Sequence, residues 1–168
     1  VMGLMFPNPI GLAAGVDNLP FDLLAPSVPV AANIGAYAEP MAEHVLALAL
    51  ALAKRLRPSH LQLENQHFDQ FAGGNLMLRD GIAAILGFGG IGKETARLLR
   101  SLRMKIYAIN RSGKTDQPVD FIGTLEGDLE KVLRAAQLVV ITLPHTRSTD
   151  GLIGARELGW MRDDAILI

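Results

Sequence analysis

The residues whose types and spacing can do chemistry begin with Gly87-Phe-Gly89-Gly90-Ile91-Gly92, which matches the pattern G-x-G-x-x-G. In that pattern the first glycine, Gly87, turns the chain sharply and the second, Gly89, lets backbone approach a pyrophosphate. The third, Gly92, lets a helix pack close against a strand. The first-turn N–H groups and the positive dipole end of that helix then hold phosphate oxygens. Such a turn has this meaning only between a strand and a helix. Ile82–Leu86 is an apolar run of strand length, and the stretch to Arg100 alternates apolar Ile91, Ala96 and Leu99 with polar Lys93, Glu94, Arg97 and Arg100 at helical spacing. Both flanks are therefore in place.

The elements around this unit follow from pattern and punctuation. Met104–Ile109 reads as a second strand, Lys114–Gly127 as a polar loop and Asp128–Ala136 as a helix. Gln137–Leu143 reads as a buried strand, Pro144–Thr149 as a loop, Ala155–Met161 as a helix and Ala165–Ile168 as a last strand. Strand and helix in alternation predict an α/β fold, a Rossmann-like doubly wound parallel sheet with right-handed crossovers. Before it, Val1–Phe6 and Val28–Ala32 read as short strands and Asn18–Leu24 as a short helix. Met41–Arg57, rich in Ala and Leu, reads as one long helix stopped by Pro58. Its apolar residues run nearly all round, the mark of a helix buried between two bodies of protein. Residues 59–80 have no clean period although Leu61, Leu63, Phe68, Phe71, Leu76 and Leu78 are apolar, the pattern of an arm that packs outside its own domain.

Composition narrows the function classes. Of 168 residues, 49% are hydrophobic and 20% charged, as in an ordinary globular protein, and the net charge of −1 gives no electrostatic case for nucleic acid or an anionic membrane. The chain has no cysteine, which removes thiol nucleophiles, disulfides and cysteine metal sites and fits a reducing cytoplasm. No residue is assigned to a metal. The most apolar stretch, Val45–Ala53, is too short to span a bilayer. The chain begins at Val1 and stops at Ile168 inside apolar runs, so the expectation is an internal piece of a longer protein.

Taken together, Ala14-Gly-Val-Asp-Asn-Leu-Pro20, Tyr37-Ala-Glu-Pro-Met-Ala-Glu-His44, Leu86–Gly92, Leu143-Pro-His-Thr-Arg-Ser-Thr149 and Gly151-Leu-Ile-Gly154 resemble, in order and over nearly the whole chain, the D-isomer-specific 2-hydroxyacid dehydrogenase family, and within it glyoxylate/hydroxypyruvate reductases. The resemblance implies a two-domain, dimeric oxidoreductase that passes a hydride between a nicotinamide cofactor and a small 2-hydroxy or 2-oxo acid. It implies that residues 1–36 are a remnant of the substrate domain and 37–168 the nucleotide domain, with residues 41–57 as interdomain helix and 59–80 as arm. It places Gly90 and Ile91 under the pyrophosphate, Leu143, Pro144 and Thr149 on the adenosine side, and Ala14, Gly15 and Val16 toward the substrate carboxylate. It also implies that the arginine, carboxylate and histidine of the catalytic set lie beyond Ile168, so that this chain alone is expected to be inactive. His44 is expected to be packed and hydrogen-bonded, His145 to be a solvent-side contact, and Glu43 and Asp17 to be structural. The competing reading is a non-catalytic relative that uses cofactor binding to control protein association. A third, that the glycine turn binds S-adenosylmethionine or another adenosine ligand, is disfavoured by the Leu143–Thr149 loop.

Cofactor choice is legible in one place. An NAD site carries an acidic residue about twenty positions past the fingerprint, at the end of the second strand, for the ribose hydroxyls. Here that end reads Asn110-Arg111-Ser112-Gly113-Lys114, with no carboxylate until Asp116. Arg111 is a planar fork suited to phosphate, Ser112 adds a hydroxyl, and Asn110 does not repel a 2′-phosphate. The expectation is NADP in preference to NAD.

Overall fold

A computed structural model describes residues 35–67 and 73–168. The centre is a sheet of five parallel strands, β1 (Ile82–Leu86), β2 (Lys105–Ile109), β3 (Phe121–Gly123), β4 (Leu138–Ile141) and β5 (Ile166–Leu167), in the order β3-β2-β1-β4-β5. β1 is paired on both edges, with Ala83 opposite Ile106 on one side and Leu138 on the other. Because side chains alternate across a strand, each strand feeds two cores. Ala83 and Ile85, with Ile106, Ala108, Leu138 and Val140, meet the helices α1 (Ala38–Ala53) and α3 (Gly90–Ser101). Ala84 and Leu86, with Ile109 and Val139, meet α4 (Leu125–Ala135) through Leu129, Val132 and Leu133. The strands are buried on both faces, which explains their continuous apolar runs.

α1 approaches α3 closely because the residues it buries are small: Ala42, Val45, Ala49 and Ala53. Its other face exposes Met41, Leu48 and Leu52. The single helix expected over Met41–Arg57 is in fact two. α1 ends at Ala53, Arg55 takes a left-handed φ of 50°, and α2 (Leu56–Glu64) begins at once. Pro58 does not stop a helix; it lies in the first turn of α2, where its missing N–H removes no intrahelical bond. The stretch 59–80 is accordingly not wholly irregular. Its far end returns to its own domain: Leu76 N–H donates to Ala53 O at 2.8 Å, Lys54 Nζ donates to Leu76 O at 2.9 Å, and Leu78 is buried. Leu61 and Leu63 on α2 remain exposed.

Elsewhere the boundaries move. α4 starts at Leu125, three residues ahead of the expected Asp128, because Thr124 caps it. The Thr124 hydroxyl accepts from Gly127 N–H, and Asp128 accepts from Thr124 N–H at 3.0 Å, a reciprocal cap. The supposed loop Lys114–Gly127 contains β3. The last helix is the short α5 (Ala155–Leu158), and β4 and β5 are shorter than expected. The expected elements at Val1–Phe6, Asn18–Leu24 and Val28–Ala32 lie outside the described residues.

Candidate functional site

At the carboxyl ends of β1 and β4 the strand order reverses, with α3 packed on one face of the sheet and α4 on the other. A crevice forms there for topological reasons, and in open α/β sheets it is where ligands bind. In this chain it is a cavity of about 420 Å³ lined by Gly87, Phe88 and Gly89 from the glycine turn, Asn110 and Arg111 after β2, Leu125 and Glu126 of α4, and Thr142, Leu143, Pro144, Thr146, Ser148 and Thr149 after β4. That volume is in the range of small-ligand sites, about 300–1,000 Å³.

The glycine turn is held from both neighbouring strands. Gly87 N–H donates to Ile109 O at the end of β2, 3.0 Å away, and Gly87 O accepts the hydroxyl of Thr142 just past β4. Gly87 has φ 101°, and any Cβ there would strike the backbone of Thr142 and Leu143. Gly92 is buried, and a Cβ on it would overlap Gly87 O and press on Ile85. Gly89 differs. A Cβ there would meet nothing within 4 Å, so its lack of a side chain serves no packing need inside the described protein. It is also the N-cap of α3 and offers no side-chain cap, which leaves first-turn N–H groups of that helix to an external acceptor. An open position above an uncapped helix start is what a pyrophosphate requires, and the donor set fits a dinucleotide.

The expected cofactor residues are only partly brought together. Gly87, Gly89, Asn110, Arg111, Leu143, Pro144 and Thr149 line one cavity. Gly90 borders an adjoining cleft with Gly35, Ala36, Ala38 and Lys93. Ile91 is half-buried on α3, and exposed Ser112 stands on the loop after β2; neither lines the cavity. Thr149 lies in the loop after β4. It staples its own loop, donating to Pro144 O at 2.7 Å and accepting from Thr146 N–H at 2.9 Å. Ala14, Gly15, Val16 and Asp17 fall outside the described residues. Phe88, Leu125, Glu126, Thr142, Thr146 and Ser148 were not anticipated. The hydroxyl-rich run Thr142–Thr149 is a sequence signal for three of them; Leu125 and Glu126 carry none, because β3 and the start of α4 sit in a polar stretch without a period.

Charge at the site is uneven. Arg111 is exposed and has no hydrogen bond or ion pair among the described residues. Asp116, the first carboxylate of that loop, is paired to Lys93 at 3.2 Å, and this bond holds its carboxyl below the usual aspartate range. His145 is solvent-exposed as expected, 3.2 Å from Asp150. His44 corrects its expectation: it is exposed and has no partner among the described residues. Glu43 is likewise exposed on α1. Among the described residues there is no cluster able to hold a metal ion and no helix long and apolar enough to cross a membrane.

Comparison with known proteins agrees with this geometry. Residues 46–168 match the model of the D-isomer specific 2-hydroxyacid dehydrogenase, NAD binding domain. A glyoxylate reductase of Aeropyrum pernix is 30% identical, over 94% of this chain and 49% of its own. A D-3-phosphoglycerate dehydrogenase of Archaeoglobus fulgidus is 26% identical, over 92% of this chain and 29% of its own. The crystal structure of a D-isomer specific 2-hydroxyacid dehydrogenase family protein from Aeromonas salmonicida superposes with a TM-score of 0.86 at 26% identity, covering 96% of this chain and 51% of that one. The chain thus spans about half the length, or less, of these relatives. With the glycine turn, the parallel sheet and the family match in agreement, the chain belongs to the D-isomer-specific 2-hydroxyacid dehydrogenases, and residues 46–168 are its NAD-binding domain.

Proposed function

We propose that this chain is the nucleotide-binding part of an oxidoreductase that moves a hydride between NADP(H), in preference to NAD(H), and a small D-2-hydroxy or 2-oxo acid. The observation that carries the cofactor choice is Arg111, which lines the same cavity as Gly87 and Gly89 and has no partner among the described residues. A free guanidinium there is suited to a 2′-phosphate, and the end of β2 carries no acid to oppose it. The nicotinamide ring, when bound, supplies or accepts the hydride. The protein's own part is positional: Gly89, Gly90 and Ile91 at the start of α3 receive the pyrophosphate, Leu143, Pro144 and Thr149 bound the adenosine side, and Arg111 takes the 2′-phosphate. Ala14, Gly15 and Val16 are assigned to the substrate carboxylate by family pattern. The 2-oxo acid substrate is supported by the name of the Aeropyrum relative, a glyoxylate reductase.

Exposed Leu48, Leu52, Leu56, Leu61 and Leu63 on α1 and α2 support a homodimer through that face, which sedimentation at micromolar concentration would test. The cysteine-free composition supports a cytoplasmic setting. Calorimetric titration tests the cofactor assignment. NADP is expected to bind more tightly than NAD, and Arg111→Ala is expected to weaken NADP by about tenfold or more, the loss of a charge-assisted contact. Tighter NAD binding, or an indifferent Arg111→Ala, would overturn it.

A further inference from the structure

The loop that presents Arg111 is closed by one side chain. Asn110 Oδ1 accepts from Gly113 N–H at 2.7 Å and from the Ser112 hydroxyl at 3.3 Å, while its Nδ2 donates to Lys114 O at 2.8 Å. Gly113 takes a left-handed φ of 62°, which lets the chain double back onto Asn110. The start of the same residue is fixed too, since Asn110 N–H donates to Gly123 O at the end of β3. Further along, the loop is tied by the ion pair of Asp116 with Lys93 and by Arg100 donating to Pro118 O. Every polar atom of the Asn110 side chain is thus engaged by its own loop, and Arg111 is the cationic side chain that this loop turns into the cavity.

From this we infer that Asn110 is a positioning residue for cofactor selection. It does not grip the ribose itself; it holds the Asn110–Lys114 turn in the one shape that aims Arg111 at the 2′-phosphate, so that the ordering of the loop precedes binding. The inference rests on the assignment of NADP to this site, and it goes further by assigning the discrimination to a coupled pair, one residue shaping and the other contacting.

Titration calorimetry on the 168-residue chain with NADP and with NAD, for N110A, R111A, the double variant and G113A, tests it. N110A is expected to weaken NADP by about fivefold, the scale of one or two lost loop bonds, and to change NAD by less than about twofold. In the R111A background the same substitution is expected to change NADP by less than about twofold, because a shaped loop without its guanidinium has nothing to aim. G113A keeps Asn110 and strains the left-handed turn, so it is expected to show the same NADP-selective loss. Losses at Asn110 and Arg111 that multiply independently, equal losses of NAD and NADP in N110A, or an unaffected G113A would overturn the inference while leaving the NADP assignment intact. An indifferent R111A single variant removes the assignment, and the inference with it. Melting temperatures of the variants identify any loss that is merely unfolding.

Discussion

The Thr142 hydroxyl donates to the carbonyl of Gly87, a residue 55 positions earlier, and so ties the end of β4 to the glycine turn that follows β1. Thr142 N–H reinforces the tie through Leu86 O at 2.8 Å. Thr142→Val keeps the shape and the β-branch but leaves the Gly87 carbonyl without its side-chain donor. It is expected to cost about 1 kcal/mol in denaturant unfolding and to weaken dinucleotide binding. Unchanged values in both measurements would show that the tie is incidental.

Gly92 and Gly89 of the turn are expected to separate stability from binding. Gly92→Ala forces a methyl into Gly87 O and Ile85, so it is expected to lower stability by about 1–3 kcal/mol, as overpacking does. Gly89→Ala meets open space and is expected to leave the melting temperature nearly unchanged while weakening NADP and NAD alike. A Gly89→Ala protein that binds both cofactors normally would argue against pyrophosphate at that position.

Much of this site was legible in sequence, and the reason is local. Between Ile82 and Arg100 the hydrophobic period switches from strand to helix across a glycine cluster, so the unit could be read from neighbours alone. β3 could not, because Phe121–Gly123 is a three-residue edge strand between polar stretches, and only pairing with β2 distinguishes it from loop. The break between α1 and α2 was hidden for another reason. It is made by Arg55 in a left-handed conformation that no glycine announces, while Pro58, which looks like a stop, is compatible with a first turn. The exposure of His44 is not legible in the sequence, because helical periodicity places a residue on a face without saying what covers that face.

Thr95 on α3 is fully buried, and its hydroxyl has no hydrogen-bond partner among the described residues. Burying a hydroxyl without compensation is unfavourable, and valine has nearly the same shape. Thr95→Val is therefore expected to raise stability by about 1 kcal/mol, read as a higher midpoint in urea with an unchanged slope. A lower midpoint would mean that the hydroxyl has a function in the folded protein.

Glu157 supplies the pH dependence at α5. The Arg156 guanidinium, bonded to its Oε1 at 2.7 and 2.9 Å, and then its own backbone N–H and that of Gly154, the latter 3.1 Å from Oε2, hold its carboxyl below the usual glutamate range. A pKa lower in the folded than in the unfolded state means stability that is complete above the unfolded value and is lost as pH falls through the folded one. Melting temperature is thus expected to fall on acidification below the ordinary glutamate range. Glu157→Gln is expected to melt lower at neutral pH and to show a shallower acid decline. An identical decline in both proteins would assign the acid sensitivity elsewhere.

The central place of β1 has a consequence for biosynthesis. Ala83 is made early, yet its partner Leu138 on one edge is made late. While the chain emerges from the ribosome, β1 and β2 can pair as soon as Ile109 is out, but the other edge of β1 then stands open, apolar on both faces, until β4 arrives. That interval is when a nascent chain is most exposed to wrong edge-to-edge pairing, and it makes β3 and α4, which lie between β2 and β4 in the sequence, the segments whose delay a chaperone would need to cover.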